Sequence, residues 1–479
     1  MKEKRKPSTL QALFPLITMI VLLTIGVGFL KLRAEPIILI CAIIAGIVAY
    51  RLGYNWDEMQ KGIIEKISRA LPATLILWSV GLLIGSWMFA GTVPMIIYYG
   101  VQIVNPRFLY VSAFLITCVL SVVTGTSWGS AGTMGVVLMG ISQGLNMNPA
   151  ITAGAVVSGA YFGDKLSPFS DTTILAPLAA GSELYEHIRH MLYTTVPASV
   201  VAIIVYIFAG LNADITGSTS ESVKVLQEQL MGMYNFNLIL IIPVIIMIAG
   251  SLLKIPTLPT MIINSLITVV LGVLVQGFSF SDGFVSVIKG FNVEMTGFEG
   301  EILPDILTLL NRGGAISMTS TTVLVFCSMG FAGIMSASGM LDVILEAILT
   351  RVKSIFGVIL STIASCFTVA FVTGNSYLSI LIPGDLFREV YIERGLHPKN
   401  LSRTLEDSGT VLVPLIPWSA AGAYMSLTLG VDTLSYLPWA ILNYMGIVFA
   451  IILALTGFGI KKLTKEEILE YKNKENINL

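Results

Sequence analysis

The chain has 479 residues, of which 55% are hydrophobic and only 12% are charged, and its 28 basic residues nearly balance its 29 acidic ones. A soluble domain carries about 25% charged residues. This composition excludes a disordered chain, a basic nucleic-acid-binding protein and a disulfide-stabilised scaffold. It predicts an all-α polytopic membrane protein, because a spanning helix needs about 20 mostly apolar residues.

Ten segments are predicted to cross the membrane. In chain order they are 12–30, 35–50, 71–90, 149–182, 191–211, 236–253, 257–277, 314–340, 399–430 and 434–458. Two further apolar stretches, 108–145 and 354–394, each contain a polar centre. Each arm is shorter than a span, so we predict two re-entrant hairpins. Stretches 92–106 and 341–352 are predicted to lie at the membrane surface.

Basic residues are distributed unevenly between the two sides of this arrangement. If the N-terminus is cytoplasmic, 21 of the 28 basic residues fall on the cytoplasmic side, 6 fall outside, and Lys165 lies at membrane depth. The positive-inside rule therefore predicts that both termini are cytoplasmic. It makes 212–235 an extracytoplasmic linker and 459–479 a cytoplasmic tail. The expected location is the cell membrane, which is the inner (cytoplasmic) membrane of a bacterium.

The two halves of the chain are related by an offset of 249 residues. This offset aligns 123–128 with 372–377 and 168–170 with 417–419. We predict a first repeat at 1–211 and a second at 236–458, each with five spans and one hairpin. Five is an odd number, so the second copy must be inverted. Inverted repeats give transporters two interconvertible faces around a midplane site.

The polar segment 163–173 interrupts the otherwise apolar span 149–182. Pro168 breaks the helix, and a broken helix exposes carbonyl oxygens that suit a small cation. Carboxylates inside a membrane are costly and functional by default, and their hard oxygens suit Na+. We predict Na+ at Asp171, Asp164, Thr126 and Ser127. All candidate ion-binding residues are Asp164, Lys165, Ser167, Ser170, Asp171, Thr172, Thr126, Ser127, Asn375, Ser376, Asp407 and Ser419.

Several of these candidates have a structural alternative. The hairpin-tip residues Thr126, Ser127, Asn375 and Ser376 could instead satisfy the turning backbone, which every buried hairpin requires. The acidic pair at 406–407, in the broken span 399–430, could instead be a solvated helix start. Asp164 and Asp171 could instead form structural ion pairs with Lys165.

Catalytic and cofactor motifs are weak in this sequence. Residues 125–129 satisfy G-x-S-x-G, but a nucleophilic serine needs a base, and no histidine falls within a predicted span. His187, His190 and His397 are predicted in cytoplasmic loops, where the first two could tune a pH response. No phosphate-binding loop motif is present in the sequence. We therefore expect a protein that is not an enzyme and has no cofactor.

The motifs at 124–129 and 159–173 together resemble the NhaC family of Na+/H+ antiporters, and the resemblance extends from about residue 10 to residue 458. It implies a scaffold domain and a mobile transport domain that holds two hairpins and two broken helices, with an elevator motion. It also implies a secondary active transporter that exchanges Na+ for H+ by alternating access. Li+ is a possible further cargo, and a homodimer is possible.

The cargo has a second interpretation. The same family contains malate–lactate antiporters driven by Na+ and H+, so antiport of small carboxylates is the alternative. The absence of an unpaired arginine at the predicted midplane favours ion exchange. In the exchange cycle expected here, deprotonated Asp171 or Asp164 binds Na+ and protonation releases it. Lys165 could instead be displaced as an internal counter-charge when Na+ arrives.

Overall fold

The structure is a computed structural model that describes residues 4–30, 32–168, 170–213, 220–253, 255–349, 354–464 and 466–467. Within these ranges the regular elements are helices, and there is one isolated antiparallel bridge, between Leu396 and Lys462. Eight of the described helices are long and apolar enough to cross a membrane, or up to 11 if each bent pair is one span. These observations confirm an all-α, multi-pass membrane protein.

The helices of the first half precede a linker helix. They are α1 (Thr9–Leu23), α2 (Ala34–Arg51), α3 (Trp56–Ala90), α4 (Thr92–Ile103), α5 (Leu109–Thr124), α6 (Ser127–Ser130), α7 (Val136–Gly144), α8 (Pro149–Leu166), α9 (Asp171–Ala180) and α10 (Leu184–Leu211). The linker helix is α11 (Ser220–Met233), which meets the following helix at an angle of 99°.

The helices of the second half follow the linker helix. They are α12 (Ile242–Leu252), α13 (Thr257–Gln276), α14 (Phe280–Lys289), α15 (Pro304–Leu310), α16 (Thr319–Ala337), α17 (Met340–Leu349), α18 (Ile355–Thr373), α19 (Ser376–Glu393), α20 (Pro398–Leu405), α21 (Ala420–Leu429), α22 (Thr433–Tyr436) and α23 (Ile441–Thr456). After α20 the chain continues through a π-helical turn, Glu406–Thr410, and a short 3-10 turn, Val413–Leu415, before α21.

Six predicted spans are single helices, namely α1, α2, α3, α10, α13 and α16. The predicted broken span 399–430 is a helix pair bent by 50°. The first arms of the two predicted hairpins are Pro106–Thr124 and Ile355–Thr373, of 19 residues each. Both are long and apolar enough to cross a membrane, as the spans are. Length alone therefore does not separate a re-entrant hairpin from two crossings, and re-entrancy stays a prediction.

Element boundaries in the two halves coincide at the offset of 249 residues. Helices α6 and α7 together run from residue 127 to 144, and α19 runs from 376 to 393. Helices α8 and α20 begin at 149 and 398, and α9 and α21 cover 171–180 and 420–429. A duplication predicts such coincidence, because matching sequence positions should begin and end matching helices.

Small residues bring α5 and α8 into close contact. A Cβ at Gly159 would overlap the carbonyl of Phe114, and a Cβ at Gly163 would overlap the backbone of Ser121. The Ser121 hydroxyl donates to the Ala160 carbonyl across the same contact at 2.5 Å. Small residues at such positions let two helix backbones approach closely. This contact brings the end of α8 close to the end of α5 and so to the turn at 125–126.

Replacing Gly163 with alanine is expected to lower the melting temperature of the detergent-solubilised protein by several degrees. The added methyl meets backbone rather than a side chain that can move, and overpacking costs about 1–3 kcal/mol. Gly330→Ala in α16 is the matched control, because nothing lies within 4 Å of its Cβ position. Equal melting temperatures for the two variants would contradict the close packing of α5 on α8.

Candidate functional site

The two helix–turn–helix tips have the same local geometry. Gly125 ends α5 and Gly374 ends α18, both in the left-handed conformation, with φ of 70° and 58°. The side chains of the next residues, Thr126 and Asn375, each accept a hydrogen bond from the backbone N–H three positions later. The structure thus uses both side chains as helix N-caps. Their observed contacts are thus those of the structural alternative, in which the tip side chains satisfy the turning backbone.

The Asp164 carboxylate is held between the first tip and the break in the first repeat. Its Oδ2 accepts a hydrogen bond from Ser127 Oγ at 2.8 Å, and its Oδ1 accepts one from Ser170 Oγ at 2.7 Å. Ser170 Oγ also lies 3.2 Å from Thr172 Oγ1, and the Thr173 hydroxyl donates to the Asp164 carbonyl. We call Asp164, Ser127, Ser170 and Thr172 the Asp164 cage.

The Asp164 cage has the chemistry of a hard-cation site. Only 8% of Asp164 is exposed, and Ser127, Ser170 and Thr172 are also buried. A hydroxyl that now donates to the carboxylate can rotate and present its lone pairs to a cation. The carboxylate then supplies the compensating charge, as oxygen ligands do for hard cations generally.

The side chain of Lys165, in α8, forms an ion pair with Asp407 in the second half of the chain. Its Nζ lies 2.6 Å from Asp407 Oδ1, and both side chains are fully buried. The Thr194 hydroxyl donates to the same oxygen at 3.1 Å. A Cβ at Gly446 would lie 3.3 Å from the Lys165 Nζ, so α23 covers the pair closely. The alternative of a solvated helix start at 406–407 is wrong, since the π-helical turn places both carboxylates in the interior.

The remaining sequence candidates lie outside the Asp164 cage. Asp171 begins α9 and is exposed, and Tyr377 donates to its Oδ2 at 3.2 Å. Ser419 caps α21 by accepting from the Gly422 N–H at 2.8 Å. The Ser376 carbonyl accepts the hydroxyl of residue 379, and Ser167 is buried in the break. Of the four residues predicted to hold Na+, Asp164 and Ser127 are joined by a hydrogen bond, whereas Asp171 and Thr126 have other partners.

Glu406 is the buried carboxylate that the predicted site omits. It is fully buried, and the side chains of Thr410 and Thr172 lie beside its carboxylate. The available sequence signal was its position in the apolar span 399–430 beside Asp407. A pair of adjacent acidic residues is also typical of a solvated helix N-terminus. The sequence alone therefore does not indicate that Glu406 is buried.

The cytoplasmic-loop placement of two histidines is also wrong. His187 and His190 lie in α10 and are buried. A ring nitrogen of His187 lies 2.9 Å from the Ser402 hydroxyl, and one of His190 lies 3.2 Å from the Asn400 side-chain oxygen. Both rings therefore pack α10 against the start of the broken helix α20.

Three buried carboxylates, Asp164, Glu406 and Asp407, thus lie near two buried cationic side chains, Lys165 and Arg403. An uncompensated buried charge is costly, so such a site attracts cations. Among the described residues, no three His, Cys, Asp or Glu side chains converge to hold one metal ion. The buried carboxylates of the described residues therefore occupy separate positions.

Comparison with known proteins places the chain in a transporter family. The sequence profile of the Na+/H+ antiporter family matches residues 97–176 and 159–458. An uncharacterized Na+/H+ antiporter of Haemophilus influenzae is 49% identical, over 96% of this chain and 98% of its own length. The Na+/H+ antiporter NhaC of Alkalihalophilus pseudofirmus is 35% identical over 90% and 92%, respectively. A malate-2H+/Na+-lactate antiporter of Bacillus subtilis is 34% identical over 95% and 96%. These matches span nearly the whole chain, and the protein belongs to the Na+/H+ antiporter family.

Proposed function

We propose that the protein is a secondary active transporter that exchanges Na+ for H+ across the cell membrane, with both termini in the cytoplasm. The observation that carries this proposal is the Asp164 cage. A buried carboxylate is surrounded by hydroxyls from a helix tip and a helix break, which is a ligand set for either Na+ or a proton. The family of the chain supports the same exchange.

The exchange rests on competition at the carboxylate of Asp164. Na+ binds the ionised carboxylate, and the Ser127 and Ser170 hydroxyls rotate so that their lone pairs point at the Na+ ion. A proton on the same carboxylate removes the charge that holds Na+, so the two ions exclude each other. An inward proton gradient then drives Na+ out of the cell. Lys165 acts as the fixed counter-charge of Asp407, because Lys165 Nζ and Asp407 Oδ1 are already paired at 2.6 Å.

Alternating access is proposed to arise from two inverted repeats, 1–211 and 236–458, that form a scaffold and an elevator-type transport domain. The matching element boundaries at the 249-residue offset support the duplication. The matched tips at 125–126 and 374–375 support equivalent roles for the two hairpins, 108–145 and 354–394. No step of this cycle requires a covalent intermediate, so the protein is proposed not to be an enzyme.

Small-carboxylate antiport is the second candidate, and one observation favours it. Arg403 in α20 is fully buried, and its Nε has no hydrogen-bond partner in the described structure. Its Nη1 donates to the Gly459 carbonyl at 3.1 Å, which leaves part of the guanidinium free to bind a carboxylate. The similarity to a malate-2H+/Na+-lactate antiporter agrees with this candidate.

A proton-flux assay in proteoliposomes distinguishes the two candidates. A pH gradient is monitored by fluorescence dequenching while Na+, Li+, K+, malate and lactate are added separately and in pairs. We expect Na+ alone to release protons in a saturable manner. A strict requirement for malate or lactate would instead establish carboxylate antiport, and no response to any addition would overturn both candidates.

A further inference from the structure

We propose that one anionic phospholipid binds at the ends of α10 and α23 that the proposed orientation places in the cytoplasm. Its phosphate occupies a basic cavity, and its acyl chains lie along the exposed faces of the two helices. The cavity shares no lining residue with the Asp164 cage, and the site does not depend on the cargo that the protein exchanges.

The cavity is formed by three parts of the chain. It has a volume of about 440 Å³ and lies between the first turns of α10, the start of α20 and the segment that follows α23. Small-molecule sites have volumes of about 300–1,000 Å³. Arg189, Lys399 and Lys461 all line it. Basic pockets between helices at the cytoplasmic side of a membrane are typical sites for anionic lipid headgroups.

Two of the three basic side chains remain available for an anion. Glu186 also lines the cavity, but its Oε1 lies 3.7 Å from Lys399 Nζ and its Oε2 lies 3.6 Å from His397 Nε2. Arg189 and Lys461 are exposed and form no ion pair with the described residues. A guanidinium can bind a phosphate through two parallel hydrogen bonds.

Glu467 is the other carboxylate near the cavity. It lies close to Lys461, and it accepts a hydrogen bond from the Thr464 N–H at 2.7 Å. Three basic side chains thus face two carboxylates, each of which already has a partner. The cavity keeps a net positive charge that complements a phosphate.

The exposed face of α10 continues from the cavity along the span. Its apolar and aromatic side chains recur every three or four residues and are 45–60% exposed, namely Tyr193, Val196, Val200, Ile204 and Phe208. Residues at this spacing share one helix face. Arg189 precedes Tyr193 by one turn, so a basic side chain stands at the membrane-surface end of an apolar face.

Helix α23 packs against α10 and adds a second exposed apolar face, which includes Val448, Ile452 and Leu455. The two helices meet at the cavity, where the Tyr193 and Phe458 rings lie 5.8 Å apart. Aromatic rings are enriched at the level of the lipid headgroups. A free phosphate ion would use the cavity alone, whereas a phospholipid uses both the cavity and the apolar faces beneath it.

The bound lipid is expected to stabilise the start of the broken helix α20. The Asn400 side-chain amide donates to the Lys461 carbonyl at 2.7 Å, and the Lys461 N–H donates to Asn400 Oδ1 at 3.0 Å. A phosphate that contacts both Arg189 and Lys461 therefore joins α10 to a segment that is bonded to α20. A ligand that binds only the folded state raises its melting temperature.

Native mass spectrometry of the purified full-length protein in detergent measures the binding. Phosphatidylglycerol is the anionic probe, and phosphatidylcholine with the same acyl chains is the probe without net charge. We expect one phosphatidylglycerol per chain to bind about 30-fold more tightly than phosphatidylcholine, because two basic side chains contact its phosphate. Phosphatidylglycerol should also raise the melting temperature by several degrees.

The cavity variant combines Arg189→Gln with Lys461→Gln and is expected to bind the two lipids equally. The matched control combines Arg51→Gln with Lys61→Gln, which removes one exposed arginine and one exposed lysine outside the cavity. It should keep the wild-type preference. Equal binding of the two lipids by the wild type would overturn the proposal, and so would an equal loss of preference in the control and the cavity variant.

Inorganic phosphate distinguishes the lipid from a free anion. We expect it to displace phosphatidylglycerol only at about 100-fold higher concentration, because it gains nothing from the apolar faces. Displacement at equal concentration would overturn the lipid site and make the cavity a site for a free anion. If the cavity variant does not fold in phosphatidylcholine, Arg189→Gln alone decides the question. We expect it to weaken phosphatidylglycerol binding about fivefold, and an unchanged affinity would overturn the proposal.

Discussion

Asp164→Asn is expected to lower Na+-driven proton exchange about 100-fold while the protein remains folded. The substitution keeps the size of the side chain and removes its charge, and interactions with a charged group contribute about 1.5–3 kcal/mol each. Ser127 and Ser170 can still hydrogen-bond to the amide, so the contact between the tip and the break is preserved. The loss therefore reports ion binding rather than unfolding.

The measurement is the same proteoliposome assay, with Asp342→Asn as a matched control because Asp342 is exposed in α17. Full exchange by Asp164→Asn would exclude the Asp164 cage as the exchange site. Asp171→Asn provides the decisive comparison, since Asp171 is exposed and its carboxylate accepts a hydrogen bond from Tyr377. A larger loss in Asp171→Asn than in Asp164→Asn would make Asp171 the main ion ligand.

Much of the fold could be predicted from the sequence because hydropathy and turn chemistry are local signals. Apolar segments of about 20 residues predict the spans directly. Glycine followed by a capping side chain, as at Gly125 and Thr126, predicts where a helix ends and the next begins. The 249-residue offset depends on the same local signals, which explains why it matches helix boundaries so closely.

The contacts of the candidate site are less predictable because they join distant parts of the chain. Lys165 and Asp407 are 242 positions apart, and no local pattern indicates that the ion pair forms between them rather than between Lys165 and Asp164. Burial of Glu406 depends on how α9, α18 and α19 surround the π-helical turn. The sequence predicts His187 and His190 in a loop because the first residues of α10, which begins at Leu184, include several polar and charged side chains.

Of the variants proposed, Lys165→Met is expected to lower the free energy of unfolding most. Combining Lys165→Met with Asp407→Asn should recover most of the lost stability. Both side chains are fully buried and lie 2.6 Å apart. Removing the lysine alone leaves a buried charge without compensation, which costs about 3–5 kcal/mol. Removing both charges eliminates that penalty, and the Thr194 hydroxyl can still donate to the asparagine oxygen. The single variant should therefore unfold at a markedly lower temperature than the double variant.

A double-mutant cycle of thermal unfolding in detergent measures this coupling. Asp407→Asn alone should also destabilise the protein, because it leaves the Lys165 ammonium buried with a neutral partner. Thr194→Val is the control for losing one hydrogen bond at the same oxygen, and it should cost only about 1 kcal/mol. If the double variant is as unstable as the sum of the two single variants, the ion pair does not hold α8 against the broken helix. A recovery would instead identify Asp407 as the carboxylate whose charge Lys165 balances within the protein.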